Sequence, residues 1–189
     1  MSVIEMKPVR DRILDAATEL YYAEGIRAVS ADRLIGEAHV SKATFYRHFP
    51  TKNDLVAAYL RQRSDDEQAA VTAKRAELAG DPGGVLAWYA DEVGTTACTP
   101  GFRGCPFINA AAEISDADHP GRAIITGHRA WLTEQARELL VALGVDHAAT
   151  RAEQVMMLRD GAMVSGYLGR APEQVADDLV AGGRSIIGR

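Results

Sequence analysis

Cysteine is scarce in this sequence: its 189 residues hold two, Cys98 and Cys105. Neither these nor the five histidines show the C-x-x-C or H-x-x-x-H spacing of a zinc site, so no metal is expected. No run approaches ~20 consecutive apolar residues, which excludes a membrane-spanning helix. The opening residues, MSVIEMKPVRDR, lack the apolar core of a signal peptide. The expected location is therefore the cytoplasm, with no membrane partner. Convincing apolar–polar alternation and hairpin signals are missing, which leaves no strands to predict. Phosphate loops, nucleophile elbows and internal repeats are missing too. No cofactor is expected. Positive charge is also short, with a net charge of −5. Residues 1–55 carry eight Lys/Arg and eight Asp/Glu, so the whole deficit falls after them. Any binding to nucleic acid must then rest on where cations are placed, not on bulk charge.

What remains is helix. A composition 47% hydrophobic and 25% charged describes a folded globular chain. The most informative stretch is 30–52, SADRLIGEAHVSKATFYRHFPTK. It reads as two short helices joined by a tight turn, Ala38-His39-Val40-Ser41. Ser30 is placed to cap the first helix and Ser41 the second, through hydroxyls that accept exposed backbone N–H groups. Phe45 and Phe49 are four apart and share an inward face. Ser41, Lys42, Ala43, Thr44, Tyr46, Arg47 and His48 are small or donor-bearing, with no acid among them. A narrow, donor-rich helix of this kind suits a major groove lined by phosphates and base edges. Pro50 stops it. Thr51 caps the next helix, and Lys52 stands in that helix's first turn, where a phosphate would favour it.

The order and spacing of Ala38, Val40, Ser41, Lys42, Thr44, Phe45, Tyr46, His48, Phe49, Lys52 and Leu55 resemble the DNA-binding domain of TetR/AcrR-type transcriptional regulators. The resemblance reaches back through Ile13, Ala16, Ala17 and Gly25. One departure stands in the turn: the family usually has glycine where this chain has His39, and a side chain there works against a left-handed backbone. The resemblance implies an all-α, TetR-like fold. It divides into a helix-turn-helix DNA-binding domain at 1–55 and a helical ligand-binding and dimerisation domain at 56–189. It further implies that Tyr46, His48 and Lys52 contact phosphates, while Lys42, Ala43 and Thr44 lie near base edges.

Helical periodicity continues to the end of the chain. A helix over 9–24 ends at Gly25. A fourth helix runs over 52–78 and becomes polar toward its end. The Gly80-Asp81-Pro82-Gly83-Gly84 run breaks the chain, and a fifth helix spans 85–96. A segment at 104–114, GCPFINAAAEI, resembles one found in a subset of the same family. Longer helices cover 121–143 and 147–168, the latter with Ala152, Val155, Met156, Leu158, Arg159, Ala162 and Met163 at its repeating positions. The last helix opens at Pro172. The two final long helices are, by the resemblance, the homodimer interface.

A ligand cavity is expected among the middle helices, with Trp88, Tyr89, Phe102, Phe107, Ile108, Trp131, Met156 and Met163 as candidate lining and Asn109, Glu113 and Arg129 as candidate polar groups. The competing reading is plain core, since aromatics at helical spacing serve both uses. The expected function is a ligand-responsive regulator, a repressor on the family pattern. It would bind a near-palindromic DNA operator and be released by an unidentified small molecule. Two alternatives stand beside it. One is a redox-sensing regulator using Cys98 and Cys105. The other is an all-helical enzyme, for which the one dense acid–His cluster, Glu113, Asp116, Asp118 and His119, reads better as a solvated loop.

Overall fold

The computed structural model describes residues 7–188. The first six residues, which entered the signal-peptide reading, and the last residue lie outside that range. The described residues form nine helices and no strand. In chain order these are α1 (Val9–Glu24), α2 (Ala31–Glu37), α3 (Lys42–His48), α4 (Lys52–Glu77), α5 (Pro82–Ala97), α6 (Pro106–Glu113), α7 (Pro120–Ala142), α8 (Ala148–Tyr167) and α9 (Pro172–Ile187). No helix among them is long and apolar enough to cross a membrane.

The described residues divide into two compact units. The first runs through Ser64 and takes in Pro106–Ile125; the second is Asp65–Cys105 with Thr126 onward. These boundaries differ from the 1–55 and 56–189 division read from the sequence. Two physical facts account for the difference. Val56, Ala57, Ala58, Tyr59 and Leu60 are all buried, so the start of α4 is part of the first unit's core. Helix α6 joins that unit as well, through Glu113. Its carboxylate accepts the backbone N–H groups of Ile26 (3.1 Å) and Arg27 (2.7 Å), closing the turn after α1.

In the first unit the core is Ile13 and Ala17 of α1, Leu34 of α2, Phe45 of α3 and Leu55 and Leu60 of α4, all fully buried. The second unit packs α5, α8 and α9 on one another around Val85, Val93, Met156, Val175 and Leu179. Gly94 permits the approach of α5 to α9, since a Cβ there would stand 2.5 Å from the Ala176 side chain. Helix α5 starts earlier than the glycines predict. Asp81 accepts the Gly84 N–H at 2.8 Å and Pro82 occupies the first turn, so the breaker residues themselves begin the helix.

Candidate nucleic-acid interface and helical cavity

Local chemistry sets the helix-turn-helix. The Ser30 hydroxyl accepts the Arg33 N–H at 3.2 Å and opens α2. The Ser41 hydroxyl accepts the Thr44 N–H at 3.1 Å and donates to the Thr44 hydroxyl at 2.8 Å, opening α3. Between them, His39 takes φ 51, the left-handed conformation of the turn. A reciprocal pair opens α4: Thr51 accepts the Asp54 N–H, and the Asp54 carboxylate accepts the Thr51 N–H. Phe45 and Phe49 are buried, which orients the rest of α3. Ser41, Lys42, Ala43, Tyr46 and Arg47 are exposed, and Thr44 and His48 are half-buried. Lys42 makes only an exposed, 3.6 Å contact with Asp32, which costs little to give up. Lys52 is half-buried; burial lowers its pKa, while Glu113 pulls the other way. The structure thus brings the eight expected DNA-facing residues onto α3, its cap and the first residue of α4.

Within the second unit lies a cavity of about 330 Å³. It is walled by aliphatic groups of α5, α7, α8 and α9, among them Leu86, Leu132, Leu139, Met156 and Leu179, with Val71 from α4. From the expected lining set it takes Trp88, Tyr89 and Met156. Phe102, Trp131 and Met163 belong to the same unit but do not line it; Phe102 instead fits beside Gly166, and the Trp131 ring lies tilted beside that of His128, centroids 6.3 Å apart. Phe107, Ile108 and Asn109 belong to the first unit, because α6 is held there by Glu113. Asn109 borders a hollow with room for about one water, shared with Tyr21, Tyr59 and Glu113. The buried Tyr21 hydroxyl finds no protein partner there.

The cavity wall has a polar end, of which the residue pattern marks Tyr89 as lining but not Arg159. Arg159, buried, and Tyr89 both line it. The Tyr89 hydroxyl donates to Glu67 Oε1 at 2.6 Å and accepts from Arg159 Nε at 3.3 Å. Glu67 Oε1 also lies 3.8 Å from Arg159 Nη2, and its Oε2 lies 3.2 Å from His128 Nε2. Arg159 further contacts Asp160 at 3.3 Å, and Asp160 pairs with Arg129. Burial pushes the Glu67 carboxyl up, but His128, Arg159 and Tyr89 outweigh it and hold the pKa below the usual range. Burial also drives the Tyr89 hydroxyl well above the ordinary tyrosine value. The available signal was Arg159 itself, a charge standing among the apolar repeat positions of α8.

Both cysteines are free; Cys98 is exposed and Cys105 is buried, facing Arg159. Asp116 and Asp118 are exposed, and the described residues hold no metal-binding group of His, Cys, Asp and Glu.

Comparison with known proteins places these features in context. The family model described as bacterial regulatory proteins of the tetR family matches residues 13–59. The crystal structure of SCO4454, a TetR-family transcriptional regulator from Streptomyces coelicolor, superposes with a TM-score of 0.87 at 40% identity. The match covers 95% of this chain and 94% of that one. The transcriptional regulator LmrA of Bacillus subtilis is 27% identical over 168 residues, 82% of this chain and 85% of its own. The transcriptional regulator YvkB of the same organism is 37% identical, but the match spans only 40% of each chain.

Proposed function

Since this chain belongs to the TetR family of bacterial transcriptional regulators, we propose that it is a repressor released from DNA by a small molecule. In this reading it acts in the cytoplasm as a homodimer on a near-palindromic operator, and the releasing molecule occupies the second unit's cavity. The observation that carries the DNA-binding part is α3. Phe45 and the capping Phe49 are buried, and its other face offers Lys42, Thr44, Tyr46 and Arg47 with no acid among them. Tyr46, His48 and Lys52 hold phosphates in this reading, and Lys42, Ala43 and Thr44 read base edges. Repression, not activation, follows the family resemblance.

The surface of α8 supports dimerisation. Met157, Val164 and Leu168 are exposed apolar side chains, and Gly161 has open space above it. The four lie at i, i+4, i+7 and i+11, which is one face of a helix. An apolar stripe left in water usually marks an interaction surface. With α9 it forms the interface of a four-helix bundle that joins two copies of α3 in one dimer.

Release follows from population shift. A ligand that binds one dimer arrangement more tightly lowers DNA affinity by the ratio of its affinities for the two states. Selection of random duplexes by the full chain, followed by sequencing, tests the proposal. An enriched near-palindrome with half-sites ~34 Å apart, or a multiple of it, is expected. No enrichment at low salt would overturn it.

A further inference from the structure

The cavity's polar end determines what kind of molecule it selects, if the cavity is the effector site proposed above. Its lining is aliphatic except for Tyr89, Gln135, Arg159, Arg184 and the Trp88 ring. Arg184 is exposed, so its charge is screened by water. The Gln135 side-chain carbonyl is taken by Arg75. That leaves Arg159 as the one buried charge in the wall.

Arg159 alone would make the cavity an anion site. It is not alone. Glu67 lies behind the lining and faces the guanidinium directly at 3.8 Å and through the Tyr89 hydroxyl. Asp160 takes another guanidinium nitrogen and is itself balanced by Arg129. The Tyr89 hydroxyl and the Nε and Nη1 of Arg159 are thus engaged by protein acceptors, and the Arg159 Nη2 faces Glu67. A carboxylate entering the cavity would meet Glu67 at close range and would have to draw Arg159 off its partner. A cation would meet Arg159 itself. Either ion would lose its hydration without gaining an unopposed counter-charge.

We propose that Glu67 determines specificity by neutralising Arg159, so that the cavity selects a neutral, largely apolar small molecule and rejects an anion of the same shape. Glu67 touches no ligand in this account and acts through Arg159 and Tyr89. A cavity of about 330 Å³ suits a compact molecule at the small end of ordinary ligand sites.

The test uses three probes of one skeleton at neutral pH: 2-naphthol, 2-naphthoate and 2-naphthylmethylammonium. Binding of each to the full chain is measured by titration calorimetry. Naphthol is expected to bind at least about tenfold more tightly than either ion. In Glu67→Gln, a near-isosteric change that removes the counter-charge, naphthoate should gain at least about tenfold while naphthol changes little. Leu86→Trp and Val180→Trp, which fill the cavity from two different helices, should each abolish binding. Naphthoate binding as tightly as naphthol in the unchanged protein, and lost in the filled variants, would overturn this inference yet leave the cavity reading intact. So would a Glu67→Gln protein whose preference is unchanged. Failure of naphthol to bind, or binding that survives both fillings, would overturn the cavity reading and this inference with it.

Discussion

At the residue scale, His39 carries the clearest conflict between sequence and backbone. Helix α2 ends in a pair of hydrogen bonds, His39 N to Gly36 O and Val40 N to Ile35 O. The same pair closes α7 at Gly144 and α8 at Gly169. At the matching position those two helices place glycine, with φ 70 and 90, while α2 places His39 with φ 51. A left-handed conformation costs a residue with a Cβ roughly 1–2 kcal/mol, part of which glycine gives back through its looser unfolded chain. His39→Gly should therefore stabilise the protein by about 1 kcal/mol, read as a higher urea midpoint at unchanged slope. A lower midpoint would mean that the imidazole makes a stabilising contact. Strain of this kind was legible in advance, because a turn's backbone requirement is local. The role of Glu113 was not. Its partners at Ile26 and Arg27 lie 87 and 86 residues away, and nothing in the sequence around Glu113 points to them.

At the scale of elements, the capped helices of the DNA-binding unit were readable almost to the residue. Serine hydroxyls, a stopping proline and paired phenylalanines act over three or four positions, so the sequence window contains the whole interaction. Helix α6 was readable as a helix but not as a member of the first unit. Its stripe of Phe107, Ala110 and Ile114 would bury equally well against any apolar partner. The cavity was legible only as an expectation of place. Which aromatics face it depends on helix rotation, and Phe102, Trp131 and Met163 face elsewhere. Helix α8 yields a prediction at this scale. Met157→Glu combined with Val164→Glu puts charge on an already exposed stripe, so the folded chain should survive while self-association is lost. Sedimentation should show a dimer converted to a folded monomer, with helical circular dichroism retained. A persistent dimer would move the interface to another surface.

At the scale of the whole molecule, the charge balance sets how DNA is bound. A chain with net charge −5 has no general attraction to a polyanion, so affinity must come from a few placed groups held twice by symmetry. Removing Tyr46 and Lys52 takes away groups assigned to phosphates, not to bases. The double variant Tyr46→Ala, Lys52→Ala should weaken binding to all duplexes by at least about tenfold. It should also lower the steepness of salt dependence by about one per lysine lost. Enrichment for a sequence should remain, because the base-reading positions of α3 are unchanged.

The most direct test of the account is the stoichiometry and affinity of the full chain on its own enriched duplex, measured by sedimentation equilibrium across a salt series. The account predicts two chains per near-palindromic duplex, with the affinity and salt slope both reduced in the Tyr46→Ala, Lys52→Ala protein. One chain per duplex, or a double variant that binds as tightly as the unchanged protein, would contradict it.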